Sequence, residues 1–381
     1  MTSKERRQRR YERRQAKRQA NKLKTAIICD NFEEVFTYRN LYKASKCCYR
    51  NVGWKASTQL YKANATYNIY KTYQKLHNGT FKSDGFYEFP LNERGKIRQI
   101  KSVTIRERVV QRCLCDFSLT PMLQRQLVYD NGASTKGKGQ SFTVRRLVKR
   151  LVHYYNVNRT NKGYILLYDF SKFFESIEHA LLKRILNKTY NNDKLKKLMF
   201  HFIDMFGSVG LGLGSQISQN LALVSVNSLD HYVKEVLRIR DYARYMDDGY
   251  LMHKDLAYLH KCLELIKAIC IELKVKLNEK KTQIRRLDKG FTYLKIRFYL
   301  TSTGKILRKI YPKNVTRMRR KLKKYKPFVD SGKMSKFDVW QSLQSWDSHA
   351  KTLNAYRTRQ NMRKLFIELY GGIDVLQSNK R

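Results

Sequence analysis

The sequence predicts an α+β protein, on three observations. Tyr164-Ile165-Leu166-Leu167-Tyr168 is a short continuous apolar run of the length and composition of a buried strand. Tyr242-Ala243-Arg244 and Gly249-Tyr250-Leu251-Met252 read as two short aromatic-rich strands, with Tyr245-Met246-Asp247-Asp248 at the turn between them. Around both lie long stretches of helical periodicity, without an internal repeat and with only 4 prolines in 381 residues. That length allows two or three domains with real cores.

Composition narrows the partners. The chain carries 79 Lys and Arg against 31 Asp and Glu, a formal charge of +48 and a pI near 10.1. An excess this large, spread along the chain, is the footprint of a polyanion, most simply nucleic acid. A hydrophobic share of 42% argues for a folded protein rather than a basic disordered tail. Anionic membrane would suit the same charge, but no apolar run of about 18 residues exists to span one. The charged N-terminus lacks the apolar segment of a secretory signal, so no membrane partner and a cytoplasmic location are expected. Cys29, Cys47, Cys48, Cys113, Cys115, Cys262 and Cys270 form no CxxC pair with matching His spacing. Reduced thiols rather than disulfides or zinc follow.

In chain order, residues 1–24 are almost pure Lys, Arg, Gln and Glu, helix-favouring but without an apolar stripe. Such a segment is expected to order on a partner, as an arm along phosphates or else as a solubilising tail. Residues 32–77 read as helical, with tyrosines among lysines. Such a mixture suits base stacking and phosphate contact, and equally an ordinary core. Residues 86–90 and 97–100 flank Gly95 as a hairpin whose tip carries Arg94, Lys96 and Arg98, followed by Lys101. A basic tip can reach a triphosphate or simply be solvated. A long helix is expected over 105–119, a Gly/Lys/Ser loop over 131–140 and a further helix over 141–155. The loop lacks the layout of a P-loop.

Asp169 closes the 164–168 strand and precedes a helix starting near 177–179, where an N-cap would also explain it. Glycines at 210, 212 and 214 lead into an apolar helix expected over 220–230. They allow close backbone approach to a ligand, or tight loop packing. After the Asp-Asp hairpin come an amphipathic helix over 256–275, a strand pair near 291–298, and basic helices from about 314.

Asp247 and Asp248 alone read as an acidic surface turn, because adjacent like charges are tolerated only in water or opposite cations. Together with Asp169 in so basic a chain, they point to a two-metal phosphoryl-transfer site. That chemistry needs two divalent ions about 4 Å apart, clamping the attacking and leaving oxygens. Mg²⁺ takes oxygen ligands from one or two carboxylates plus substrate phosphates. Asp169 and Asp247 are the natural bridging ligands, with Asp248 in support.

The ordered set resembles the bacterial reverse transcriptases over roughly residues 90–300. Residues 169–179 are similar to the family's first catalytic motif, 210–230 to its template- and nucleotide-handling motif, and Tyr245-Met246-Asp247-Asp248 to its second catalytic motif. Residues 278–282 and 290–298 resemble the two that follow, ending in the primer grip. Lys96-Ile97-Arg98 and Arg108-Val109-Val110-Gln111 are similar to fingers motifs. The resemblance implies a right-hand polymerase fold. It has a basic arm over 1–30, fingers over 31–160 with a fingertip hairpin near 86–101, an antiparallel palm sheet with helices over 161–300, and a basic helical thumb over 301–381. It implies RNA-directed DNA synthesis with two Mg²⁺ ions (or Mn²⁺) and dNTPs. The metal-holding set is Asp169, Phe170, Asp247 and Asp248. Phe174 matches the ring that excludes a ribose 2′-OH, and Lys96 and Arg98 would contact the triphosphate. Leu213 and Gly214 would lie beside the nucleotide and Tyr245 at the primer end or template. Lys281, or its neighbour Lys280, would donate a proton to pyrophosphate. The implied partners are a structured RNA template and a cDNA or RNA–DNA duplex, held by shape and backbone. The oligomeric state stays open.

Departures narrow the type. Relatives commonly carry Gln before the glycine matching Gly214 and Ser-Pro after it. Here Leu213-Gly214 precedes Ser218-Gln219, as in reverse transcriptases of diversity-generating retroelements. This implies error-prone copying and a small basic accessory protein. Gly212 replaces a common Pro, Lys136 and Lys138 stand in the loop that has lost Arg-Pro, and Lys295 occupies a usual Gly position. Residues 344–350 are similar to a thumb segment of retroelement enzymes. The competing readings are a phage-defence (antiviral) reverse transcriptase copying a noncoding RNA, and a non-catalytic nucleic-acid scaffold.

Overall fold

The computed structural model describes residues 3–93 and 95–371. Arg94 of the expected basic tip, the side chain of Lys96 and residues 372–381 of the expected thumb lie outside the described residues. The chain divides into two compact units. The first takes the described residues up to Gly139 with Asp169–Gly249 and Cys262–Glu279. The second takes Gln140–Tyr168, Tyr250–Lys261 and the described residues from Lys280 onward.

In the first unit, Ser3–Cys29 is one basic helix, and among its described side chains only Cys29 is buried. Short helices follow at Phe32–Val35, Tyr38–Cys48, Ala56–Ala63 and Ala65–His77. Asn31 caps the first through the backbone N–H groups of Glu33 and Glu34, and Thr37 caps the second through that of Asn40. Leu41, Ala44, Ser45 and Cys48 repeat at helical spacing and form the buried face of Tyr38–Cys48. The expected hairpin is present as strands β1 (Tyr87–Glu93) and β2 (Lys96–Ser102), paired from Tyr87↔Ser102 to Glu93↔Lys96. Gly95 supplies the positive φ, +84°, that the turn needs. The expected 105–119 helix runs as Ile105–Leu114, capped by Thr104, then passes through a π-helical turn at Cys115–Leu119.

The remaining strands are β3 (Tyr164–Ser171), β4 (Tyr242–Tyr245), β5 (Asp248–His253), β6 (Lys276–Leu277), β7 (Gln283–Arg286), β8 (Phe291–Tyr293), β9 (Ile296–Leu300) and β10 (Ile306–Ile310). One sheet has the order β4-β5-β3-β6, with β7 also paired to β3. Phe170 and Ser171 pair with Leu277 and Lys276, and Tyr164 to Leu167 pair antiparallel with Arg286 to Gln283. Residues 165–170 are buried without interruption, which is why this strand reads as a continuous apolar run rather than an alternation.

One expected boundary moves. The helix after the glycine loop begins at Gln216, not near 220, and ends at Ser225, before a separate turn of helix at Asn227–His231. Ser215 is extended (φ −89°, ψ 139°), which starts the helix early. The buried, β-branched Val226 leaves the helical region (φ −113°, ψ 18°) and interrupts it.

In the second unit, helix Gln140–Asn158 accompanies a sheet of order β10-β9-β8. Helices Pro312–Asp330, Lys336–Lys351 and Tyr356–Tyr370 close around Met318, Leu322, Val339, Leu343, Met362 and Phe366. Asp347 ties two of them, accepting from Arg359 at 2.6 and 2.9 Å and from Arg363 at 2.7 Å. Among the described residues no helix is long and apolar enough to cross a membrane.

Candidate functional site

The first unit brings the three candidate acids onto neighbouring backbone. Asp169 lies at the end of β3, buried at 4% exposure, and its carbonyl accepts from Asn278 N–H at 2.7 Å. The next amide, Phe170 N–H, donates to the carbonyl of Asp247 at 3.3 Å. The strand end and the Asp247-Asp248 turn are therefore joined by main chain. Tyr245, Met246, Asp247 and Asp248 are half-buried, between the surface and the core. Phe170 can offer a ligand only through its carbonyl oxygen. Its buried ring stacks on Phe173 at 5.1 Å.

The turn is strained and clamped. Met246 has φ +55°, a left-handed conformation unusual for a long side chain. Arg244, fully buried, holds it from beneath: Nη1 donates to the Met246 carbonyl at 2.7 Å and Nη2 to the Leu223 carbonyl at 3.1 Å. Nε and Nη2 also donate to the two oxygens of the equally buried Asp230, at 2.8 and 2.6 Å. The Tyr242 hydroxyl donates to the same carboxylate. On its other edge β4 meets the 130–132 segment, where Gly132 N–H donates to the Arg244 carbonyl at 2.9 Å and Arg244 N–H to that of Asp130 at 3.3 Å. Lys138 steadies this loop by donating to the carbonyls of Tyr129 and Asn131, at 2.7 and 3.2 Å. Sequence reading gave Arg244 and Asp230 no role. The available signal was a charged residue inside an otherwise apolar strand and a lone acid at the end of an apolar helix.

Phe174 is half-buried, edge-on to Phe173 at 5.7 Å, and its carbonyl accepts from Leu211 N–H at 2.7 Å. That bond, with Gly210 N–H to the Ile177 carbonyl at 2.8 Å, seats the glycine loop against the turn after β3. Gly210 is required there: its φ is +87° and a Cβ would lie 2.8 Å from the Glu175 carbonyl oxygen. His179 Nε2 donates to the Gly210 carbonyl at 2.6 Å. Leu213 is half-buried, and Gly214 (φ +102°) approaches Ile100 on β2. Gly214 lines a cavity of about 300 Å³ with Arg112, Ser134, Gln216, Gln219 and Asn220. Gln216 and Asn220 are anchored to Asp116 and Thr120 at 3.4 and 3.1 Å, and Arg112 pairs with Asp116 at 2.6 Å.

The other candidates lie on other elements. Arg98 is exposed on β2, opposite Leu91. Lys96 occupies a strand position on β2, and its side chain lies outside the described residues. Lys280 and Lys281 are exposed in the turn between β6 and β7, in the second unit.

The donor set is three aspartates and a carbonyl, all hard oxygen. Among the described residues no group of three or more His, Cys, Asp or Glu side chains is gathered closely enough to hold a metal by itself. Hard oxygen donors of this kind suit Mg²⁺, which keeps several waters and takes one or two carboxylates together with substrate phosphates.

Comparison with known proteins bears on the same segment. The family model described as reverse transcriptase (RNA-dependent DNA polymerase) matches residues 82–298, more than half of the chain. No curated protein matches. A solved structure of apo telomerase from Candida tropicalis, truncated from the C-terminal domain, is similar at 12% identity and a TM-score of 0.46. The match covers 59% of this chain and 55% of that one, so the chain spans about half of that relative. The helices and sheets described above are those of a right-hand polymerase fold. The matched segment runs from just before β1 into β9 and contains Asp169 and the Asp247-Asp248 turn, so this chain belongs to the reverse transcriptase (RNA-dependent DNA polymerase) family.

Proposed function

We propose that the chain is an RNA-directed DNA polymerase that extends a primer by two-metal nucleotidyl transfer. The observation that carries this is the main-chain junction of Asp169 and Asp247, which puts a strand-end acid beside a turn of two more. Asp169, the Phe170 carbonyl, Asp247 and Asp248 would hold two divalent cations, Mg²⁺ or Mn²⁺. When bound, these ions neutralise charge on the attacking and leaving oxygens. The chain's own residues position the reactants. Phe174 walls off the space a ribose 2′-OH would need, and Lys96 and Arg98 on the fingertip hairpin meet the triphosphate of the incoming dNTP. Tyr245 supports the primer end, and Lys281 supplies a proton to the departing pyrophosphate. In this reading the arm spans 1–30, the fingers 31–160, the palm 161–300 and the thumb 301–381, and the basic thumb holds the template–primer duplex by its backbone.

Within the family, the pattern Leu213-Gly214 followed by Ser218-Gln219 supports a diversity-generating retroelement enzyme. Leu213 removes a polar contact beside the nucleotide and loosens base selection. A structured RNA is the template and a small basic protein the accessory partner.

Primer extension on an RNA template with Mg²⁺ tests the activity. Wild type extends, Asp247→Ala falls by several orders of magnitude, and chelation abolishes synthesis; equal activity in the two proteins rejects the proposal. Sequencing the cDNA made by Leu213→Gln tests the subtype, since an error spectrum identical to wild type removes its basis.

A further inference from the structure

We propose that the outer face of the helices Tyr38–Cys48 and Ala65–His77 is a binding platform for single-stranded RNA outside the polymerase site. The stretch 38–80 contains eight Lys and Arg and no Asp or Glu. An ordinary solvated helix face mixes both signs of charge. Here the face of the first helix is Tyr38, Arg39, Tyr42, Lys43 and Lys46 at helical spacing, all exposed. The second presents Tyr67, Tyr70, Lys71 and Lys75, also exposed. The two faces adjoin, because the Tyr38 hydroxyl donates to the Thr66 carbonyl at 3.5 Å.

Exposed tyrosines at this density are costly unless something covers them. Tyr42, Tyr67 and Tyr70 are 40, 57 and 50% exposed, and Trp54, in the loop between helices, 75%. The rings are already paired with cations: Lys46 lies 4.5 Å from the centre of Tyr42, Lys71 4.4 Å from Tyr67 and Lys55 5.5 Å from Trp54. Each pair therefore presents a flat π-face and an ammonium at one spot. A base can stack on the ring while the displaced lysine meets the adjoining phosphate. A protein partner of matching charge would need clustered carboxylates and gains little from flat rings in pairs. A duplex hides its base faces. Single-stranded RNA supplies both bases and phosphates, and stacking explains the tyrosines that charge alone leaves unexplained.

The test uses the full chain and fluorescence anisotropy with a labelled single-stranded oligouridylate, without metal or nucleotide. A failure of polymerisation is therefore read separately from a failure of this surface. The triple variant Tyr42→Ala/Tyr67→Ala/Tyr70→Ala binds at least about tenfold more weakly, whereas the same three sites changed to Phe keep wild-type affinity. Lys46→Gln and Lys71→Gln each reduce the slope of log affinity against log salt by about 0.7. Photocrosslinks from 4-thiouridine fall within residues 38–80. Equal affinity of the alanine variant and wild type overturns the proposal. So do an equal loss in the phenylalanine variant, a preference for DNA of the same sequence, and crosslinks confined to the second unit.

Discussion

The clamp beneath the Asp247-Asp248 turn makes a prediction that separates positioning from folding. Arg244 and Asp230 are both 0% exposed and share two hydrogen bonds, so Asp230→Ala leaves a buried guanidinium without its carboxylate. Breaking one side of such a pair costs about 3–5 kcal/mol, a large share of a typical ~5–15 kcal/mol of total stability. The double variant Asp230→Leu/Arg244→Met removes both charges and keeps the volume. Stability then returns to within about 1–2 kcal/mol of wild type. Activity does not return with it, because the Met246 carbonyl has lost the 2.7 Å donor that fixes the strained turn. A shift of about 1 Å in a catalytic group costs on the order of 100-fold. The double variant should therefore show kcat down about 100-fold with the KM for dNTP nearly unchanged. Urea unfolding followed by circular dichroism gives the stabilities, and primer extension at varied dNTP gives kcat and KM. A stable double variant with wild-type kcat refutes the positioning role. An Asp230→Ala protein within about 1 kcal/mol of wild type refutes the buried-charge argument.

Three other consequences are measurable. Leu294 and Lys295 form the two-residue turn between β8 and β9 with φ of +47° and +63°, so Lys295→Gly relieves about 1 kcal/mol of left-handed strain and raises the melting temperature by a few degrees. The Arg359 hydrogen bond, with Arg363 beside it, holds the Asp347 carboxyl below the usual carboxylate range. A depressed acid stabilises above its unfolded pKa, and that stability is lost as pH falls through its folded pKa. Asp347→Asn should thus lower thermal stability at pH 7, and its difference from wild type should vanish at strongly acid pH, followed by the fluorescence of Trp340 and Trp346 in the same helical core. Phe174→Val opens the space beside the Phe174 carbonyl's contact with Leu211 and should raise incorporation of ribonucleotides relative to deoxynucleotides by about 10–200-fold, read from single-nucleotide extension.

Local signals were legible and long-range ones were not. β3, the fingertip hairpin and the acidic hairpin all announced themselves by apolar runs or period-two patterns ending at turn residues. The start of the helix at Gln216 was hidden because its first turn is polar, Gln216-Ile217-Ser218-Gln219, and its anchors, Asp116 and Thr120, lie about a hundred positions away. Arg244 and Asp230 are 14 residues apart on different elements, and no periodicity links them. Lys138 reads as one more basic loop residue, yet its ammonium satisfies two carbonyls of the segment that pairs with β4. The tyrosines of 38–77 were ambiguous until burial sorted them: Tyr61 is core, while Tyr67 and Tyr70 are surface.

The clamp also bears on why an arginine stands so near the acids proposed to hold metal ions. A lone cation under Asp247 and Asp248 would compete with divalent ions as their counter-charge. Asp230 removes that conflict, since the pair carries no net charge while every guanidinium nitrogen donates to Asp230, Met246 or Leu223. Rigidity is thus obtained without net positive charge at the turn. The same logic explains why the strain sits at Met246, one residue before the acids. A left-handed residue lets β4 reverse within two positions, and the carbonyl it turns inward is the one Arg244 holds. An uncharged donor such as Gln at position 244 could satisfy that carbonyl but would leave Asp230 buried with an unpaired charge. The strand therefore has to carry a cation, and the helix end has to answer it.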